Sequence, residues 1–137
     1  MRQSSSGFRE IEHTADWELQ AWAPDLVGLL EQTARGMYAL SGAQLAREPR
    51  EPVSFSLPAE DHERLVVSFL SELLWLSEQE GLGFDVFDLS FANDQLLVRL
   101  TGAPIVAQTK EIKAVTYHNL VISRTDQGLQ VNIVFDV

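Results

Sequence analysis

The chain contains no cysteine among its 137 residues. This excludes a disulfide framework, a thiolate metal site and a cysteine nucleophile. No stretch approaches about 18 uninterrupted apolar residues, so the sequence predicts no membrane-spanning helix. The first seven residues also lack the apolar segment of a signal peptide. We therefore expect a short flexible tail at 1–7, a single domain at 8–137, and residence in the cytoplasm.

Positive charge is scarce as well. Ten lysines and arginines stand against 20 acidic residues, which gives a formal net charge of -10. A broad nucleic-acid surface requires clustered basic residues, so we expect any RNA to be bound by a partner rather than by this chain. The acidic balance also favours solubility and a basic partner or cations.

Only two residues are lysines, Lys110 and Lys113, and they lie three positions apart. The compact, mobile ammonium of lysine suits a phosphate-facing contact better than a fixed bidentate one. A short basic element that complements an acidic surface explains the pair equally well. If the segment is helical the two lysines share a face, whereas in an extended segment they face opposite ways.

Several signatures of independent enzymes are missing from the sequence. It has no P-loop, nucleophile elbow, dinucleotide fingerprint or His/Glu zinc motif. An independent hydrolase or transferase is therefore not favoured.

Apolar residues at helical spacing predict two helices. The first follows Pro24, is capped by Asp25 and runs to about residue 40, where Ser41-Gly42 ends it. The second starts after Pro58, with acidic residues in its first turn, and Gly81 and Gly83 close it.

Alternating patterns predict strands between and after these helices, with residues 43–52 as a loop. Asn93-Asp94 is a good hairpin turn between strands predicted at about 84–91 and 95–100. A second hairpin, with strands at 119–124 and 129–135, is predicted around residues 125–128. The fold class is therefore α+β: a two-layer single domain with helices packed on a mainly antiparallel sheet.

The first concentration of polar residues is Glu12-His13-Thr14-Ala15-Asp16, between two predicted strands. One interpretation is a turn whose Thr14 and Asp16 side chains satisfy backbone donors. The other is a carboxylate-bearing loop at the edge of a sheet. His13 is either a base or metal ligand, or a hydrogen-bonded structural group.

The second concentration is the end of the sequence, Asp136-Val137. On a strand Phe135 faces the core, so Asp136 points to the other side, next to the carboxylate of Val137. Hard oxygen ligands of this kind suit calcium or magnesium, while a solvated strand end is the alternative explanation.

These places together resemble the archease family, over essentially residues 8–137. The early motif of that family, (Glu/Asp)-His-Thr-Ala-Asp, is matched by Glu12-His13-Thr14-Ala15-Asp16. Its late motif, Lys-Ala-(Val/Ile)-Thr-Tyr, is matched by Lys113-Ala114-Val115-Thr116-Tyr117. The family also ends in a strand that closes on an aspartate and an aliphatic residue, as Asp136-Val137 does.

The resemblance implies an accessory protein rather than an enzyme. Archeases assist the RtcB-type RNA ligase in tRNA splicing and RNA repair, by promoting the ligase–guanylate intermediate from GTP and repeated turnover. The partner is then the ligase, RNA is contacted only through it, and no membrane is involved. A chaperone-like protein-binding module is the alternative, and a metal-dependent phosphohydrolase is disfavoured. The oligomeric state stays open.

The resemblance also assigns site residues. Asp16, Asp136 and the Val137 carboxylate are implied ligands of a divalent metal, calcium in crystals, with magnesium or manganese as alternatives. Lys113 matches a lysine that the family requires for function. Glu12 and His13 receive no separate role, and Lys110 lies outside the matched motif.

Overall fold

The structure is a computed structural model that describes residues 5–12 and 17–137. Within these ranges the chain forms two helices and nine short or medium strands. In chain order they are β1 (Gly7–Ile11), β2 (Trp17–Ala23), α1 (Leu26–Ser41), β3 (Gln44–Leu45), β4 (Glu51–Pro58), α2 (His62–Glu80), β5 (Leu82–Ala92), β6 (Gln95–Ala107), β7 (Ala114–Val115), β8 (Ile122–Thr125) and β9 (Gly128–Asp136).

Local capping residues determine where both helices begin and end. At the start of α1 the Asp25 carboxylate accepts a hydrogen bond from the Gly28 amide at 2.8 Å, and Gly42 ends the helix with φ 70°. At the start of α2 the Asp61 carboxylate accepts from the Arg64 amide at 3.1 Å. Gly81 ends α2 with φ 68°. Both helices are thus confirmed, and neither is long and apolar enough to cross a membrane.

The strands form two antiparallel sheets. In the first sheet β9 is central: β2 lies on one side of it, followed by β1, while β7 and β8 pair with different parts of β9 on its other side. In the second sheet β6 is central and pairs with β5, β4 and β3. Both helices contact strands of both sheets, so the predicted α+β single domain is confirmed.

The core lies where the helices meet the inner faces of the sheets. Alternate residues of β9 face it, with Val131, Ile133 and Phe135 buried and Asp136 exposed, as the alternation predicted. The other large side chains that are fully buried come from β2, both helices and the second sheet: Leu19, Leu29, Leu30, Met37, Leu65, Phe69, Leu70, Leu73, Phe84 and Leu96.

Three segments differ from the sequence-based expectation. Residues 43–52, predicted as a loop, contain β3 and the start of β4, because Gln44 and Leu45 pair with the far end of β6. β6 continues past Pro104 to Ala107, and the Pro104 carbonyl there accepts a hydrogen bond from the Ala46 amide at 2.8 Å. The last hairpin begins at Ile122 rather than at residue 119, because residues 117–120 form a turn.

Candidate functional site

The lysine segment, residues 108–113, follows β6 and precedes β7 without regular secondary structure. The amides of Thr109 and Lys110 both donate to the Ser41 carbonyl at the end of α1, at 2.9 and 3.0 Å. Ile112 is buried in the core. The Lys113 amide donates to the Asp136 carbonyl at 2.8 Å. The segment is therefore held at both ends, by α1 and by β9.

This geometry brings two of the predicted site residues together. In the β7–β9 pair Ala114 lies opposite Asp136 and Val115 lies opposite Phe135. Lys113, directly before β7, is thus next to the end of β9. Its side chain is exposed. Among the described residues, no carboxylate oxygen lies within 4.0 Å of its ammonium nitrogen. The backbones of Lys113 and Asp136 are thus joined, and both side chains are exposed.

The implied metal site is described only in part. Asp136 is exposed, and Val137 packs partly against the core. Within residues 5–12 and 17–137 no group of three or more His, Asp or Glu side chains could hold a metal ion. Asp16 and His13 lie outside the described residues, and Glu12 is exposed.

Pairing between β2 and β9 nevertheless brings together the residue that follows the early motif and the residue that precedes Asp136. Trp17, the residue after Asp16 in the sequence, pairs with Phe135, the residue before Asp136. The start of β2 and the end of β9 are therefore neighbours in the first sheet. The carboxylate oxygens of Asp136 and Val137 fit a hard divalent cation in their chemistry. They are the two described members of the set of ligands that the resemblance implies.

A groove that the sequence did not reveal lies between α2 and the lysine segment. We call it the α2 groove, and its volume is about 690 Å³. Its lining combines apolar, acidic and basic side chains: Leu74, Ser77 and Glu78 from α2, with Gln108, Glu111, Ile112 and Lys113 from the lysine segment. Trp75, next to Leu74 on α2, is 52% exposed, which the apolar pattern of the helix did not indicate.

A second feature missed by sequence reasoning is a row of hydrogen-bonded side chains across β1, β2 and β9. Arg9 Nε donates to Gln20 Oε1 at 2.7 Å, and Gln20 Nε2 donates to Asn132 Oδ1 at 3.2 Å. Asn132 Nδ2 then donates to Glu18 Oε2 at 2.7 Å. This row crosses strands that are distant in sequence, so periodicity alone could not have linked its members.

An ion pair with two hydrogen bonds lies beside the second sheet, away from Lys113. The Arg50 guanidinium donates to both carboxylate oxygens of Asp85, at 2.5 and 3.2 Å. These hydrogen bonds hold the pKa of Asp85 below its ordinary value. Burial raises the pKa of Tyr38 far above its ordinary value, so its hydroxyl stays protonated. These groups are not predicted site residues.

Comparison with known proteins identifies the family. The model of the Archease protein family (MTH1598/TM1083) matches residues 8–137, and the chain belongs to this family. The chain is similar to the archease of Methanopyrus kandleri, with 30% identity over 87% of this chain and 91% of that protein. It is also similar to the archease of Thermococcus gammatolerans, with 31% identity over 88% and 91% of the two chains.

Solved structures have the same fold. One is a solution structure of protein 1598 from Methanobacterium thermoautotrophicum, with a TM-score of 0.70, 23% identity, and 96% and 99% of the two chains covered. Another is a crystal structure from Thermotoga maritima, described as an archease and possible chaperone. Its TM-score is 0.67 at 25% identity, and 100% of this chain and 98% of that chain are covered.

Proposed function

We propose that this protein is an accessory factor that activates an RtcB-type RNA ligase, by promoting its guanylylation with GTP and its repeated turnover in tRNA splicing or RNA repair. One observation carries the proposal: the Lys113 amide is bonded to the Asp136 carbonyl at 2.8 Å, while both side chains are exposed. The two late elements of the family pattern are thus adjacent along the backbone, and both of their charged side chains are accessible. Family membership supports the same function.

The chemistry of this surface suits a helper better than an independent enzyme. Phosphoryl transfer depends mainly on positioning and on stabilising charge on phosphate oxygens. The exposed ammonium of Lys113 can supply such a charge to a phosphate in the partner's site. No nucleophile of its own is required for that role, and RNA is contacted only through the ligase.

A divalent metal is part of this proposal. Asp136 and the Val137 carboxylate would hold it, together with Asp16, with calcium as the metal in crystals and magnesium or manganese as alternatives. When bound, the metal would neutralise these carboxylates and supply positive charge near Lys113. Asp136 follows Phe135, which pairs with Trp17, so a metal here would connect the early and late motifs.

The alternative function is a chaperone-like protein-binding module with no role specific to a ligase. The Thermotoga maritima protein is described as a possible chaperone, which favours this reading. It predicts binding to unfolded proteins in general and no particular need for Lys113.

Ligase guanylylation distinguishes the two functions. A cognate RtcB-type ligase is incubated with GTP, with and without a stoichiometric amount of this protein, and the covalent guanylate is quantified. We expect faster guanylylation with the wild-type protein, loss of the effect with Lys113→Ala, and a milder loss with Lys110→Ala as the matched control. An unchanged ligase rate would remove the activator function, and equal losses would remove the special role of Lys113.

A further inference from the structure

The α2 groove combines the features of a protein-docking surface with the candidate functional lysine. Half-buried Leu74 gives it apolar surface, while Ile112, which also lines it, is only 5% exposed and belongs to the core. Glu78, Glu111 and Lys113 are exposed and give it charge. A partner seated in this groove would touch Lys113 directly.

An exposed tryptophan extends the same surface along α2. Trp75 follows Leu74 and is three residues before Glu78, so Trp75 and Glu78 are neighbours on the helix surface. Trp75 is 52% exposed. Tryptophan is enriched among the residues that contribute most to protein–protein binding. We therefore include Trp75 in the docking surface.

Charge determines what kind of partner fits. Among the side chains that line the groove, the carboxylates of Glu78 and Glu111 outnumber the single ammonium of Lys113. In the described part of the chain neither carboxylate forms an ion pair. The whole protein carries a formal charge of -10. Such a surface repels a phosphate backbone and attracts a basic protein segment.

The groove is also preorganised. One side is the middle of α2, and the other is the lysine segment, whose amides are bonded to Ser41 and Asp136. A surface that needs no ordering on association loses less conformational entropy when a partner binds.

We infer that the α2 groove is the site where a basic segment of the ligase docks, with its arginine or lysine side chains on Glu78 and Glu111 and an apolar side chain against Trp75 and Leu74. This inference rests on the proposed function. Docking here would hold Lys113 at the contact between the two proteins.

The test compares two double variants that change the net charge equally. Glu78→Lys/Glu111→Lys alters the groove, whereas Glu48→Lys/Glu60→Lys alters exposed positions outside it. The dissociation constant for full-length ligase is measured by calorimetry at low and moderate salt. We expect the groove variant to bind at least about tenfold more weakly and the control to bind within about twofold of the wild type.

An apolar pair of variants supplies a second readout. Trp75→Ala should weaken binding, whereas Val86→Ala, which removes a side chain 50% exposed on β5, should not. Circular dichroism and thermal unfolding check that all variants fold. A groove variant that is unfolded is replaced by the single Glu111→Lys change, which lies outside regular structure.

Three results would overturn the inference. Groove variants that bind the ligase as tightly as the controls, while wild-type protein still activates it, would refute the groove and leave the proposed function intact. If the protein binds single-stranded RNA directly and Lys113→Ala weakens that binding, the groove binds the phosphate backbone of RNA rather than a protein segment. A sedimentation shift from dimer to monomer with Trp75→Ala would assign it to a second copy of this chain. Failure of the wild-type protein to activate the ligase instead contradicts the proposed function itself.

Discussion

The two sheets differ in the length of the strands that pair with their central strands. In the second sheet, β5 and β6 are long, adjacent in the chain and paired over most of their length. In the first sheet, β9 is completed on one side by two short pieces, β7 and β8. Of the described candidate functional residues, Lys113 directly precedes β7, and Asp136 and Val137 lie at the end of β9. The long strands thus supply most of the pairing in the second sheet, while the candidate residues lie where β9 meets the two-residue strand β7.

The largest expected effect comes from the second sheet, at Gly102. A Cβ atom there would lie 1.8 Å from the Gly83 carbonyl oxygen and 2.7 Å from Phe84 Cδ1. Backbone cannot move aside cheaply, so Gly102→Val should lower the free energy of unfolding by at least about 3 kcal/mol. Urea denaturation measures this, with Ser54→Ala on the exposed face of β4 as the control. A loss below about 1 kcal/mol would show that the second sheet can rearrange to accommodate a side chain at residue 102.

The next effect concerns the end of β9 in the first sheet. Asp136→Ala should weaken calcium binding at least about tenfold, because it removes one of the proposed oxygen ligands. Its effect on stability should stay within about 0.5 kcal/mol, since the side chain is exposed. Calcium titration calorimetry compares it with Asp126→Ala, which removes an exposed carboxylate from the β8–β9 turn. Equal affinities in both variants would remove the proposed metal site.

Variants of the two helix caps test whether the two sheets unfold together in one cooperative transition. Asp25→Ala and Asp61→Ala each remove a side chain that accepts an amide hydrogen bond at a helix start. Each should cost about 1 kcal/mol, whereas Asp25→Asn and Asp61→Asn should cost little because asparagine also caps well. Thermal unfolding followed at two wavelengths should show one transition. Two separate transitions would mean that the sheets unfold independently.

The smallest effect is the pH dependence of the Asp85–Arg50 pair. The hydrogen bonds from Arg50 lower the pKa of Asp85 in the folded protein. The stabilising contribution is therefore complete above the unfolded pKa of about 4 and is lost as the pH falls through the lower folded value. The stability difference between wild type and Asp85→Asn should thus shrink as the pH is lowered from 5 to 3. The difference in stability is small because both side chains are well exposed. A difference that stays constant with pH would contradict the attribution of the lowered Asp85 pKa to Arg50.

Local signals made the helices predictable from the sequence. Asp25, Asp61, Gly42 and Gly81 act within a turn of their own positions, so the predicted ends agree with the structure to within a few residues. The alternation in β9 predicted its buried and exposed faces for the same reason.

Features that depend on distant partners were not predictable. β3 exists because Gln44 pairs with Ala107, and no residue near position 44 indicates that pairing. The contact between Lys113 and Asp136 followed from the family resemblance and not from spacing. The α2 groove was missed because it forms only where the middle of α2 meets the lysine segment.

The two anchors of the lysine segment have a consequence for sequence variation within the family. Only three peptide units separate the Lys110 amide, bonded to Ser41, from the Lys113 amide, bonded to Asp136. Three residues span at most about 10 Å, so both hydrogen bonds can form together only when their acceptors lie within that reach. Surface loops usually tolerate insertions. Here we expect an added residue to bulge outward or to break one of the two hydrogen bonds, and in either case to shift Lys113 relative to β9.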